Sequence, residues 1–166
     1  VTTTCNGWKP LIRQTDSYDL INSSLTFVGE KYNCDVLGYV IMPNHLHLLL
    51  YFKGENHLSG YMRDFKKFTS VKIRQELENR NLIYTLDSIR TDSRNRIFKV
   101  WEERFDDQYI RSKAMLKHKL DYIHENPLQS HWNLVEYPDD YAYSSASFYG
   151  NGLCPDLRVV HYKEYY

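Results

Sequence analysis

Two apolar runs, 39–42 and 46–52, close on a Pro43-Asn44 pair, and Pro followed by Asn suits the two central positions of a tight turn. The pattern predicts a β-hairpin whose second strand opens at His45. Side chains alternate faces along a strand. His45, His47, Leu49 and Tyr51 therefore share one face, while Leu46, Leu48, Leu50 and Phe52 share the other and pack on helices. Two imidazoles stand side by side on the face away from the main core, as a metal site awaiting further ligands would have them.

The rest of the pattern surrounds this hairpin. Residues 1–5 are β-branched and read as a strand already under way; Val1 in place of an initiator Met suggests that residues precede it. Asn6-Gly7 turns the chain, and 8–12 continues as an edge strand. Asp16 or Ser17 caps a helix in which Leu20, Ile21, Ser24, Leu25 and Val28 recur at helical spacing, with Gly29 or Asn33 near its end. A second helix runs over 58–78 with Leu58, Met62, Phe65, Ile73 and Leu77 as its buried stripe. Residues 79–96 are polar and irregular and read as a loop; 97–101 read as a strand. A third helix starts near Ser112, buries Leu116, Leu120 and Ile123, and stops at Pro127, because the residue before a proline is pushed out of helical geometry. Met115, His118, Tyr122 and Asn126 project from another side of that helix. The succession predicts an α+β domain: one antiparallel sheet, helices on one face, and the histidine face left open.

Length and composition narrow the class. At 166 residues one domain with its own core is expected. No apolar run approaches the roughly 20 residues that span a bilayer, and no secretory pattern opens the chain. Cys5, Cys34 and Cys154 are odd in number and lack CxxC spacing, which predicts reduced thiols and a cytoplasmic protein. A formal net charge of zero excludes coating of nucleic acid by bulk electrostatics, so any such role falls to a local patch. The one clustered basic face lies on the second helix, where Arg63, Lys67, Ser70 and Arg74 share a side with Lys66 next to them. It is either an ordinary solvated face or a phosphate grip. The 15 tyrosines exceed what a core needs. Tyr109, Tyr141, Tyr143 and Tyr149 read as packing or stacking residues, Trp101 as core, and His57, His124, His131 and His161 as surface or structural.

Met42-Pro43-Asn44-His45-Leu46-His47 resembles the His-hydrophobic-His signature of the HUH single-tyrosine transposases (IS200-like). Asp121-Tyr122-Ile123-His124-Glu125-Asn126-Pro127 resembles their tyrosine helix. Trp101, Arg104, Phe105, Asp107, Ile110 and Arg111 match the segment leading into it, and Tyr141 with Ser144-Ser145 resembles the block that follows in the REP-associated branch. The resemblance spans residues 5–149 and rests on the ordered set rather than on any one piece.

It implies a ferredoxin-like core with the catalytic-tyrosine helix near the open face, and metal-dependent cleavage and joining of single-stranded DNA or DNA hairpins. Tyr122 is then the nucleophile, forming a 5′-phosphotyrosine. His45 and His47 hold Mg²⁺ or Mn²⁺, and Asn126, where relatives carry Gln, supplies the third ligand; Glu125 and His118 are the alternatives. Arg63, Lys66, Lys67 and Arg74 would track the backbone, and exposed tyrosines, Trp8 or Trp132 would stack bases. Monomer and homodimer are both compatible. Rival readings are a relaxase or replication-initiator nicking enzyme, a domesticated hairpin-binding protein without cleavage, and an unrelated metal-binding domain.

Overall fold

Strand β3 lies at the centre of the sheet because it is apolar on both faces. The computed structural model describes residues 1–55, 57–93, 96–153 and 155–165; Cys154 and the final tyrosine of the tail lie outside them. In chain order the elements are β1 (Thr2–Thr4), α1 (Leu11–Thr15), α2 (Tyr18–Lys31), β2 (Cys34–Ile41), β3 (His45–Phe52), α3 (Leu58–Asn79), α4 (Ile83–Ser88), β4 (Arg90–Ser93), β5 (Arg96–Phe98), α5 (Lys113–Glu125) and α6 (Ala146–Asn151). The main sheet is antiparallel in the order β1-β3-β2. Residues 100–106 run along the outer edge of β1, with Asn6 N–H on Val100 O at 2.8 Å and Glu102 N–H on Thr4 O at 2.9 Å. With that segment as a fourth strand, the order is that of a ferredoxin-like α+β fold. Along the other edge, Ile41 N–H donates to Tyr143 O at 2.8 Å and Val160 N–H to Val36 O at 3.0 Å. Both edges are thereby occupied, which removes the open pairing sites an exposed strand would offer.

Alternation along β3 divides the core into two layers. Leu46 and Leu48 pack with Ile21, Leu25, Met62, Phe65 and Ile73 of α2 and α3. On the other face, Leu49 packs with Leu116, Leu120 and Ile123 of α5 and with Tyr141 and Tyr162 from the C-terminal stretch. A bulge in β2 between Val36 and Gly38 lets both Leu37 and Gly38 face α5, so the helix lies close to the sheet there. Cys5 and Cys34 are buried free thiols, each pushed up to about 12 by burial.

Three expectations are corrected. The segment 8–12 is not an edge strand: a 3-10 turn at Asn6–Trp8 leads into α1, because Leu11 and Ile12 are both fully buried and adjacent residues of a strand would face opposite ways. The polar stretch 79–96 is not a loop throughout, since α4 and β4 form there around the buried Leu86 and Ile89. The histidine face of the sheet is not open: α5 with Tyr141, Tyr149, Val160 and Tyr162 covers it, and His45 and His47 are 5% and 8% exposed.

Candidate active site

The β2–β3 turn delivers His45, and the period of two brings His47 onto the same face with ring centroids 4.9 Å apart. Each ring is fixed by a neighbour. His45 Nδ1 lies 2.6 Å from Asn44 Oδ1, and Asn44 Nδ2 donates to Trp8 O at 2.8 Å. The Asn44 carbonyl oxygen is an acceptor, so His45 Nδ1 carries the proton and Nε2 the lone pair. His47 Nδ1 meets Thr2 Oγ1 at 2.8 Å, a contact supplied by the β1–β3 register that sets Thr2 opposite His47.

Helix α5 brings the remaining groups. Ser112 caps it by accepting from Met115 N–H at 3.2 Å, and Leu116, Leu120 and Ile123 press one stripe onto the sheet. Tyr122 then stands over His47, ring centroids 5.4 Å apart and nearly perpendicular, and keeps 46% of its surface exposed. One turn later Asn126 is buried. Its Nδ2 donates to Tyr122 O at 2.8 Å, and the amide lies near enough to both imidazoles to favour their protonated forms. Burial lowers His45 to about 4, opposed by the nearby Asn126 amide; burial, then the charge of His45, lowers His47 to about 3. Both imidazoles are therefore neutral at physiological pH, the form that ligates metals.

Two neutral imidazoles with ring centroids 4.9 Å apart and one amide thus lie together, a donor set whose chemistry fits a hard divalent ion. Among the described residues no group of three His, Cys, Asp or Glu is available to a metal, and the polar side chain next to both imidazoles is Asn126. Glu125 and His118 are exposed on α5. Lys119, one turn before Tyr122, holds its ammonium 6.0 Å from that ring. Lys119, Tyr122 and His47 line a cavity of about 580 Å³ together with Asp106 and Tyr109. Sequence reasoning misses Lys119 and takes Asn44 only as a turn and signature residue, although the i,i+3 spacing of Lys119 and Tyr122 is a usable signal.

The family model described as "Transposase IS200 like" matches residues 4–126, which takes in His45, His47, Tyr122 and Asn126. The chain belongs to the IS200-like transposase family. A Haemophilus influenzae protein provisionally described as a REP-associated tyrosine transposase is 27% identical over 158 residues, covering 87% of this chain and 82% of that protein. The Escherichia coli REP-associated tyrosine transposase is 23% identical over 133 residues, covering 79% of this chain and 66% of that protein. A solved REP-associated tyrosine transposase bound to a REP hairpin superposes with a TM-score of 0.64 at 21% identity, over 96% of this chain and 82% of that one, and shares its fold.

This transposase-family chain does not bring the expected phosphate-gripping residues to the histidines. Arg63, Lys66, Lys67 and Arg74 lie on α3, across the sheet from α5, and border a separate groove of about 920 Å³ with residues 97–105. Lys66 donates to the carbonyls of Glu102, Glu103 and Arg104 at 3.0, 3.4 and 3.1 Å. Arg74 pairs with Glu78, and Arg63 with Asp64 at 3.0 Å. Lys67 is exposed. Of the other residues weighed, His124 is structural, bonded through Nε2 to Ser145 Oγ at 2.8 Å. Trp101 is core, and Tyr141 and Tyr149 spend their hydroxyls on Ile41 O and Leu37 O. No helix among the described residues is long and apolar enough to cross a membrane.

Proposed function

We propose that the chain is a metal-dependent single-stranded DNA endonuclease and strand transferase that cuts beside DNA hairpins. The observation that carries this is the meeting of Tyr122 with the His45–His47 pair, the phenol 46% exposed above buried imidazoles. Tyr122 Oη attacks a backbone phosphorus; the P–O3′ bond breaks, a 5′-phosphotyrosine forms, the phenolic proton passes to solvent and the 3′-oxygen takes one up. Attack by a second 3′-OH reverses the step and rejoins DNA, conserving the phosphodiester bond without a nucleotide cofactor. The ammonium of Lys119 favours a developing phenolate and attracts the phosphate.

His45, His47 and Asn126 would hold Mg²⁺ or Mn²⁺, which when bound supplies Lewis-acid polarisation of the phosphate oxygens. Asn44 and Thr2 keep the two rings oriented for that role, since the partner of the far nitrogen sets the near one. The REP hairpin in the solved relative supports hairpin DNA as the substrate class. Incubation with a labelled hairpin carrying single-stranded flanks and Mn²⁺ is expected to give a covalent protein–DNA adduct that Tyr122→Phe does not form. An adduct from Tyr122→Phe would overturn the assignment of the nucleophile, and no adduct from the unaltered protein on a panel of such hairpins would overturn the reaction.

A further inference from the structure

We infer that Trp8, together with Trp132 near the same imidazole, forms a base-stacking subsite for the unpaired nucleotide next to the phosphate to be cut. The inference rests on the function proposed above and adds to it where the flanking base lies. Trp8 is 65% exposed. Its indole nevertheless stands edge-on to the His45 ring with centroids 5.9 Å apart, and Trp132 lies 6.0 Å from the same ring. The third tryptophan shows the contrast: Trp101 is 3% exposed and its Nε1 donates to Thr69 Oγ1 at 2.9 Å. Core packing accounts for Trp101 and leaves the exposed indole unexplained.

The backbone gives a second, independent observation. Among the described residues, the non-glycine positions with positive φ are Asp16, Asn33, Asn81, Asn133 and Trp8. Asn and Asp enter the left-handed region readily through local hydrogen bonds of their short side chains, whereas a bulky indole gains nothing there. Trp8, at φ 57, follows Gly7 at φ 60, and the turn is held from outside. Trp8 N–H donates to Cys5 O at 3.0 Å, Gly7 N–H to Glu102 Oε1 at 2.8 Å, and Asn44 Nδ2 to Trp8 O at 2.8 Å. The same Asn44 accepts from His45 through Oδ1. One side chain therefore ties the position of the indole to that of the imidazole. An observed outlier of this kind beside a site motivates a functional role.

The ligand this arrangement suits is an unpaired nucleobase. Its π-face stacks on indole whatever the sequence, and its phosphate extends toward His45. The double-stranded stem of a hairpin cannot present such a face.

The test uses Tyr122→Phe protein, so that binding is read without cleavage, and a single-stranded probe of twelve thymidines. The probe is expected to quench tryptophan emission, and Trp8→Ala is expected to weaken binding about 10-fold, within the roughly 5- to 160-fold that loss of one stacked base brings. Trp8→Phe should recover most of it. A blunt hairpin without flanks should bind Trp8→Ala and its parent equally. With Tyr122 intact, Trp8→Ala should raise KM for adduct formation and leave kcat nearly unchanged, with Phe restoring KM; a general loss of folding would lower both. If the parent binds the thymidine probe no better than Trp8→Ala does, the subsite is refuted, while the adduct assay still reports on the reaction. If Trp8 governs probe binding but no adduct forms, the subsite stands and the proposed cleavage falls.

Discussion

Lys66 and Lys67 are neighbours in sequence and do different things. The Lys66 ammonium caps three consecutive carbonyls, those of residues 102–104, and lies 5.4 Å from the Phe105 ring, pinning the segment that runs along β1. Lys67 is exposed to solvent. Lys66→Met is therefore expected to cost about 1–2 kcal/mol of stability in urea denaturation. Lys67→Ala is expected to leave stability unchanged and, if α3 contacts DNA, to lower by about one the slope of log K against log salt. A destabilised Lys67→Ala protein, or an unaffected Lys66→Met protein, would reverse these assignments. Periodicity identifies which residues share a helix face, so both lysines were legible as one patch. It cannot show which of them finds a carbonyl cage some 36 residues downstream. The same limit separates His45, His47, Tyr122 and Asn126, visible through strand alternation and the i,i+4 step, from the contacts of Thr2, Asn44 and Trp8: Trp8 is legible as a stacking candidate, but its place beside His45, like the roles of Thr2 and Asn44, exists only when β1 and the following turn fold against β3.

Helix α5 carries Tyr122 and Asn126, so its seat on the sheet sets their position. That seat depends on Gly38: a Cβ there would stand 2.5 Å from Leu120 Cδ1, with Leu120 itself 5% exposed and packed. Gly38→Ala is expected to cost roughly 1–3 kcal/mol as an overpacking change and to lower adduct formation by displacing α5. Because the clash is with one side chain, Leu120→Ala should be less costly in the Gly38→Ala background than alone, a coupling that a double-mutant cycle measures. Strictly additive losses would mean that Gly38 matters for strand conformation instead. Long periodic elements such as α2, α3 and α5 were readable because their stripes repeat over several turns. The short α1 and α4 were not, since a single turn has no period and exists only because Leu11, Ile12 and Leu86 find a core. The bulge at Leu37 has no compositional mark except the Gly that follows it. The covered histidine face escaped notice for a related reason: its cover comes from α5 and from a C-terminal stretch whose tyrosines looked equally suited to solvent.

Across the molecule, the layer on the α5 side of the sheet holds three buried neutral imidazoles. Burial lowers His124 and His45 to about 4 and His47 to about 3, against roughly 6.5 in an unfolded chain. Between those values the unfolded chain binds protons that the folded one does not, so stability rises with pH. The contribution is whole above pH 6.5 and drains away as the pH falls toward 4. At pH 5 each imidazole would cost roughly 2 kcal/mol, about 6 kcal/mol for the three, which is comparable with the entire stability of an ordinary domain. Carboxylates do not set this window: Asp64 is held below its ordinary value by Lys31, Tyr32 and Arg63, and a depressed carboxylate loses its contribution only at more acid pH. Urea denaturation in EDTA between pH 7.5 and 5 should therefore show stability falling steeply below 6.5, with a slope approaching three protons. His124→Gln should reduce that slope to about two, because Gln keeps a polar contact with Ser145 and does not titrate. Stability that stays flat from pH 7.5 to 5 would mean that the imidazoles titrate in the folded protein as they do in the unfolded chain. In that event the neutral nitrogens would meet competition from protons near pH 6.5 instead of near pH 4, so the acid limb of folding and the pH at which the capacity for metal fades draw on one property of the buried layer.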